Sequence, residues 1–270
     1  MAPQSNIRRP ILRSALLSFV SGSMSSKDAA IHPTYIGTAG WTLPAEHAAD
    51  FPEAGTHLAR YAQRFCGVEV NSSFYRPHRL TTYSRWAASV PEGFRFAVKV
   101  PKQITHRLGL IETTPPLERF LAEVSGLEGK LGPLLVQLPP SLAFETQLAH
   151  VFFASLRARF TGNVVCEPRH PGWFSQEAEG VLADFHIARV AADPAPVPEA
   201  AHPGGWQGLA YYRLHGSPRR YYSTYSNEAL EVLVQNLRER LQVASVWCIF
   251  DNTALGAATS DALSTAKRLK

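Results

Sequence analysis

Short apolar runs along the chain alternate with longer segments in which apolar residues recur every three or four positions. Continuous runs rich in β-branched and aromatic residues are typical of strands that are buried on both faces. The longer segments have the spacing of amphipathic helices, as in Leu58, Tyr61, Ala62 and Phe65. We predict eight strands, at residues 34–39, 67–71, 94–100, 133–138, 163–167, 188–192, 209–215 and 245–251.

Regular alternation of strands and helices indicates parallel strands, because parallel neighbours need a long crossover connection between them. Eight such units in a chain of 270 residues favour a single TIM-type (β/α)₈ barrel, which we place at residues 31–270. One connection breaks the pattern. Residues 193–205 are rich in proline and glycine and have no apolar helical face, so we predict a loop after the sixth strand.

The first thirty residues differ from the rest. Arg8, Arg9 and Arg13 precede a short apolar stretch that serines interrupt, and Met24 offers a second start. An export or transit sequence is one interpretation of this pattern. Because terminal segments without core contacts usually stay unfolded, we expect residues 1–30 to be a disordered or misassigned leader.

Charge separates this leader from the body of the chain. The formal net charge is +5, from 27 basic and 22 acidic residues, and residues 1–23 contribute three of the basic residues and no acidic one. The remaining body is nearly neutral, so it exerts little long-range attraction on polyanions. No apolar run approaches the roughly 20 residues of a membrane-spanning helix, and we expect a cytoplasmic protein.

Polar residues recur where the predicted strands end. In a barrel these ends converge on one mouth, where active sites are built, although any single residue could instead be a cap or half of a buried ion pair. We predict a polar pocket there. The candidate catalytic residues are Glu69, Glu167, His215 and Asp251, and the candidate substrate-binding residues are Asn71, Lys99, His106, Gln137, Arg169, His170, Asp193, Arg213 and Asn252.

The same strand ends carry a family resemblance. The chain resembles the YecE-like family of unknown function, also called domain of unknown function 72, from about residue 34 to its last residue. The resemblance implies a TIM-type barrel and no particular reaction; Ala39 stands where we expect serine, and the leader lies outside it. The matching stretches are residues 37–41, 68–75, 96–99, 105–106, 137–141, 167–170 with Trp173, 213–216 and 250–252.

Carboxylates and histidines can exchange protons, and lysine or arginine can hold an anion. The sequence therefore favours an enzyme that acts on a small anionic substrate. Three alternatives stay open: a nucleic-acid binding or processing protein, suggested by Arg219, Arg220 and the tyrosines after them; a divalent-metal-assisted hydrolase or isomerase; and a non-catalytic binding protein. No compact metal-ligand motif and no cofactor motif is identified, and the oligomeric state is left open.

Overall fold

The structure is a computed structural model that describes residues 32–270. The predicted leader, residues 1–30, lies outside them. Strands and helices alternate along most of the described chain. The strands are β1 (Thr34–Thr38), β2 (Gly67–Val70), β3 (Arg95–Lys99), β4 (Leu131–Gln137), β5 (Val164–Glu167), β6 (Ile187–Arg189), β7 (Ala191–Asp193), β8 (Gly204–Gly205), β9 (Leu209–Leu214) and β10 (Ser245–Phe250).

Three of the seven α-helices of residues 32–270 begin at a capping side chain. At the start of the longest one, for example, the Ser226 hydroxyl accepts the backbone N–H of Ala229 at 3.2 Å. Among residues 32–270, no helix has the length and apolar character needed to cross a membrane. The α-helices are α1 (His57–Tyr61), α2 (Leu80–Ala88), α3 (Thr114–Val124), α4 (Thr146–Arg157), α5 (Gln176–Asp184), α6 (Asn227–Leu241) and α7 (Ala257–Leu269).

The strands form two sheets and not one closed ladder. A four-stranded sheet has the order β1-β10-β9-β7, and a six-stranded sheet has the order β2-β3-β4-β5-β6-β8. All pairs are parallel except β6 with β8. The prediction of a closed TIM-type (β/α)₈ barrel is therefore wrong, and the chain has a mixed α/β fold.

A side chain interrupts the ladder between β1 and β2. The backbone N–H of Thr38 donates to the Tyr61 hydroxyl at 2.8 Å, and that hydroxyl donates to the Gly67 carbonyl at 3.2 Å. Beyond this point only an isolated bridge joins Ala39 to Glu69. The Tyr61 hydroxyl therefore takes the place of a direct backbone hydrogen bond between Thr38 of β1 and Gly67 of β2. Helical spacing identifies Tyr61 as a core aromatic and says nothing of this role.

The second interruption divides the strand predicted at residues 188–192. Its first part, β6, pairs with β5, whereas its second part, β7, pairs with β9, and the two parts separate at Val190. The connection that follows contains no α-helix within residues 193–205, as predicted. It does contain a 3₁₀ helix at Pro198–Ala201 and the short strand β8.

The strands bury side chains on both faces, which accounts for their continuous apolar runs. In β10, Val246 and Cys248 belong to one buried cluster, which packs the strands against the helices, and Trp247 and Ile249 belong to another. The Trp247 ring stacks on Tyr211, with 5.9 Å between ring centroids. This second cluster lies beneath the polar groups described below, because Tyr211 contacts both.

The close approach of β1 to β2 gives a first testable prediction. A Cβ atom at Gly37 would overlap the Gly67 carbonyl oxygen and lie 2.7 Å from the Tyr61 hydroxyl. We expect Gly37→Ala to lower the free energy of unfolding by about 3 kcal/mol, because backbone cannot move aside cheaply. Urea denaturation measures the change. The control is Gly93→Ala, whose Cβ would meet nothing within 4 Å; equal losses in the two variants would refute the steric explanation.

Candidate active site

Charged side chains from both sheets meet at the carboxyl ends of the strands. Glu69 lies near the end of β2, Lys99 and Glu167 end β3 and β5, Arg213 lies near the end of β9, and Asp251 follows β10. None of the five is more than 7% exposed. Charges this deeply buried must be paired or must serve a function, because desolvation is costly. Their contacts show that most are paired.

Arg213 is the centre of the cluster. Its guanidinium binds Glu69 through two bonds, Nε to Oε2 at 2.9 Å and Nη2 to Oε1 at 2.6 Å. Nη1 donates to Glu167 Oε2 at 2.9 Å, and Nη2 lies 3.2 Å from Asp251 Oδ2. Burial alone would lower the pKa of Arg213, but the three carboxylates raise it well above its usual range. Four of the five N–H donors therefore face carboxylate oxygens.

Glu167 lies between three positively charged or hydrogen-bonding partners. Oε2 accepts from Arg213, while Oε1 accepts from Arg169 and lies 3.0 Å from His215 Nε2. Burial would raise the pKa of Glu167, but Arg213, Arg169 and His215 together hold it well below its usual range. Glu167 is therefore a carboxylate at neutral pH.

Asp251 is held in the same way from the four-stranded sheet. Its Oδ2 atom lies 2.9 Å from His215 Nδ1, in addition to the contact with Arg213. Burial would raise the pKa of Asp251, and it is lowered overall by Arg213, His215 and Lys99. Unlike Glu167, Asp251 also lines a cavity and is accessible to a bound molecule.

His215 is fully buried between two carboxylates. Nδ1 faces Asp251 and Nε2 faces Glu167, while Nη2 of Arg169 lies 2.6 Å from Nε2. A doubly protonated ring would donate to both acids, whereas a neutral ring would donate to Asp251 and accept from Arg169. His215 does not line the cavity, and it contacts the cavity wall through Asp251.

Lys99 differs from the other charges because it has no acidic partner at contact distance. No carboxylate oxygen of residues 32–270 lies within 4.0 Å of its amine, whose Nζ lies 4.1 Å from the Phe74 ring centroid. Burial and the Arg213 guanidinium lower the pKa of Lys99, the nearby carboxylates offset this only in part, and the resulting pKa is about 8. The side chain lines the cavity with Asp251.

The cavity above the cluster has a volume of about 520 Å³, which is the size of a small-molecule site. Its charged lining consists of one acid and four cations, namely Asp251, Lys99, Arg169, Arg213 and Arg220. Asn71 and Gln137 add amide groups to the wall. Within residues 32–270, the buried carboxamide oxygen of Asn71 has no hydrogen-bond partner. The cavity is therefore polar and positively charged.

Four of the residues assigned to substrate binding by sequence lie away from this cavity wall. Asn252 donates from Nδ2 to the Ser223 carbonyl at 2.9 Å and to Asp261 Oδ2 at 2.7 Å. His170 accepts the Gly172 N–H at 3.0 Å and caps a 3₁₀ helix. These two side chains hold loops in place.

The other two of the four are His106 and Asp193. His106 packs edge-on against Phe74, with 5.0 Å between ring centroids, and Nδ1 bonds to Thr105 Oγ1. Burial lowers the pKa of His106, and Lys99 and Lys102 lower it further. Asp193 ends β7 and lines a separate, more apolar cavity of about 430 Å³ against α6.

Loops supply lining residues that strand ends could not predict. Arg220 and Tyr221 belong to the segment after β9, and Tyr75 and Thr253 follow the ends of β2 and β10. The Tyr221 N–H donates to the His215 carbonyl, which turns the loop back over the cluster. The run of arginine and tyrosine is a visible signal in the sequence, compatible with nucleic-acid contact and with a loop that covers the pocket, whereas nothing in the sequence singles out Thr253.

The cluster is not arranged as a metal centre. In the part of the chain that the structure describes, no three His, Cys, Asp or Glu side chains are placed to hold a metal ion. The physical reason is Arg213, because its guanidinium lies between the carboxylates that would otherwise converge on a cation. These residues do not fit a divalent ion.

Comparisons with known proteins agree with the resemblance in the sequence. Residues 35–270 match the family described as "Protein of unknown function DUF72". The chain therefore belongs to the DUF72 family, whose members include YecE-like proteins. It is 31% identical over 176 residues to the UPF0759 protein YecE of Escherichia coli K12, which covers 63% of this chain and 62% of that protein. The match thus spans less than two thirds of that relative.

A second relative is similar over a longer stretch. The UPF0759 protein YunF of Bacillus subtilis 168 is 26% identical over 263 residues, which cover 84% of this chain and 91% of that protein. Two crystal structures of DUF72 family proteins share the fold. One, from Enterococcus faecalis V583, has a TM-score of 0.74 at 22% identity and covers 87% of this chain and 95% of its own. The other, from Thermotoga maritima MSB8, has a TM-score of 0.73 at 25% identity and covers 88% of this chain and 99% of its own.

Proposed function

We propose that this protein is an enzyme that binds a small anionic substrate in the 520 Å³ cavity and transfers protons through Asp251 and Lys99. The observation that carries this proposal is the charge of the site, where the four cations of the wall outnumber its one carboxylate together with the two beneath it, Glu69 and Glu167. A wall of this charge favours an anion, because desolvated charge pairs attract strongly. The volume favours a molecule of metabolite size.

The contacts distribute roles differently from the sequence-based hypothesis. Arg213 was a candidate to hold the anion, but the carboxylates already occupy four of its N–H donors. Arg220 is exposed and engages no carboxylate at contact distance within residues 32–270, so it is better suited to bind the anion. Glu69 and Glu167 lie below the wall and neutralise the buried cations.

Proton transfer requires groups that reach the ligand, one able to accept a proton and one able to donate it. Asp251 lines the cavity as a carboxylate and can accept a proton, and His215 behind it orients Oδ2. Lys99 lines the same cavity, and with a pKa lowered to about 8 by burial and by Arg213 it can either donate or accept. The pair offers an acid and a base to one substrate.

A thermal-shift titration of the full chain with inorganic phosphate and small carboxylates tests the proposal. A ligand at 100 times its dissociation constant adds about 2.7 kcal/mol, so the midpoint should rise by several degrees. We expect Arg220→Ala to weaken this rise. Arg219→Ala is the matched control, because Arg219 lies over the Tyr222 ring, 3.8 Å from its centroid, and does not line the cavity. Absence of any shift, or equal loss in both variants, would argue against the proposal.

A nucleic-acid ligand is the second candidate, and exposed aromatic residues favour it. Tyr75 is 76% exposed and Tyr221 is 45% exposed, and both line the cavity, as Arg220 does. Tyrosines of this kind can stack on bases while arginine contacts phosphate. Including a short single-stranded oligonucleotide in the same titration separates the two. Asp251→Asn separates an enzyme from a binding protein, since retained binding with lost turnover indicates catalysis.

A further inference from the structure

Lys99 is the one buried lysine of residues 32–270. Three carboxylates lie in the same cluster, yet all three bind Arg213, and none contacts the Lys99 amine within 4.0 Å. One side of the amine faces the Phe74 ring, and the cavity borders the residue. A buried lysine kept only as a positive charge would gain from a carboxylate contact. Lys99 instead lines the cavity with no carboxylate of residues 32–270 in contact with its amine.

The backbone at Lys99 fixes where this amine can reach. The residue ends β3 and pairs in register with Leu135 of β4, while the Ser73 hydroxyl donates to the Lys99 carbonyl at 2.6 Å. A side chain that starts from a hydrogen-bonded strand end has little freedom at its base. Such positions hold a reacting atom more accurately than loop positions do.

We propose that Lys99 condenses with the carbonyl carbon of a small anionic aldehyde or ketone to form a Schiff base. The inference rests on the proposed function, because it assumes that the anionic substrate occupies the same cavity. It adds the chemical class of that substrate and a covalent step. Lysines that act in this way are desolvated or lie beside another cation, and both conditions hold here, with Arg213 as the neighbouring cation.

The step balances with the groups in the cavity. The Lys99 ammonium gives one proton to the Asp251 carboxylate, and the free amine attacks the carbonyl carbon as the C=O π electrons move to oxygen. A second N–H proton passes to that oxygen and forms a carbinolamine. Asp251 returns its proton to the hydroxyl, the C–O bond breaks, and water leaves as the nitrogen lone pair forms the iminium. Ammonium and carbonyl thus yield iminium and water.

The iminium product gives a chemical reason for a Lys99 amine that no carboxylate of residues 32–270 contacts. An iminium withdraws electrons from the neighbouring carbon, so it assists reactions that break a C–H or C–C bond beside the former carbonyl. The lowered pKa of Lys99, about 8 through burial and the nearby Arg213, supplies more free amine at neutral pH than an exposed lysine has. Arg169 and Arg220 then hold the anionic group of the substrate.

Reductive trapping of the full-length protein tests the proposal. The probes are pyruvate and dihydroxyacetone phosphate with sodium cyanoborohydride at pH 8, followed by proteolysis and peptide mass spectrometry. A trapped Schiff base adds the mass of the probe less one oxygen. We expect Lys99 to be modified roughly tenfold or more faster than exposed Lys102, because Lys99 lines the cavity that would hold the probe, Lys102 does not, and burial and Arg213 lower the pKa of Lys99 to about 8. Lys99→Arg should abolish this signal, and Lys102→Arg should leave it unchanged.

Lactate and glycerol 3-phosphate, which lack the carbonyl, are titrated in parallel by thermal shift. Selective modification of Lys99 supports the inference. Equal modification of Lys99 and Lys102, or none at Lys99 while the carbonyl-free anions still bind, overturns the Schiff base and leaves the anion site standing. Failure of both anion binding and trapping overturns the proposed function as well. Because modification is mapped in the unaltered protein, these outcomes do not depend on how well a variant folds.

Discussion

Arg213→Met should lower the free energy of unfolding by about 3–5 kcal/mol, the usual cost of removing one partner from a buried ion pair. The guanidinium binds Glu69 and Glu167 and lies 3.2 Å from Asp251. Its loss leaves three carboxylates together without their shared cation. In a domain of this size the thermal midpoint should fall by about 10 °C.

The control for this variant is Arg159→Met, whose ion pair with Glu118 lies at the surface. Surface pairs contribute about 0–1 kcal/mol, so this variant should unfold close to the parent protein. Adding Glu69→Gln to Arg213→Met should recover part of the loss, because it removes one of the stranded charges. If the protein tolerated Arg213→Met as well as Arg159→Met, the buried carboxylates would not depend on Arg213 as their shared cation.

Acidification should destabilise the protein steeply below about pH 5, chiefly through Glu167 and Asp251. Burial alone would raise the pKa of each carboxyl, but positively charged and hydrogen-bonding neighbours lower it overall. For Glu167 these neighbours are Arg213, Arg169 and His215. For Asp251 they are Arg213, His215 and Lys99. A carboxyl whose pKa is lower when folded than when unfolded stabilises the fold above its unfolded pKa. That contribution is lost as the pH falls through the folded pKa.

Urea denaturation at a series of pH values measures this effect, and Glu167→Gln identifies its source. The variant should be less stable at pH 7 and should lose stability less steeply on acidification, because one carboxyl with a lowered pKa is gone. Glu118→Gln is the matched control, since Glu118 is 58% exposed and its ion pair with Arg159 lies at the surface. If Glu167→Gln and the parent had parallel pH profiles, the buried cluster would not be the origin of acid sensitivity.

The sequence predicted where strands lie better than how they join. Apolar runs indicate strands because both faces are buried, and all eight predicted runs contain strand residues. The interruption of the ladder depends on one hydroxyl, that of Tyr61, and on a change of partner at Val190. Neither feature can be recognised from the spacing of apolar residues in the sequence. This is why the alternation suggested a closed barrel that the structure does not have.

For the candidate site, the ends of strands were the informative signal. Parallel strands place their carboxyl ends together, so the proximity of Glu69, Lys99, Glu167 and Arg213 could be predicted. Which of these charged side chains pair with each other could not be predicted, because the pairing depends on side-chain geometry between strands that are distant in sequence. Arg213 and Lys99 are both basic residues near strand ends, yet of the two only Arg213 forms ion pairs within residues 32–270.

The position of Arg213 also limits which residues of this protein can change during evolution. Its carboxylate partners come from β2 and β5 of the six-stranded sheet and, through Asp251, from the end of β10 in the other. One guanidinium therefore bridges two sheets and forms the floor of the cavity at once. A change to any single partner leaves an uncompensated charge in the interior. Over evolutionary time, these residues should covary as a set, while rim positions such as Arg220 and Tyr221 stay free to adapt to new ligands.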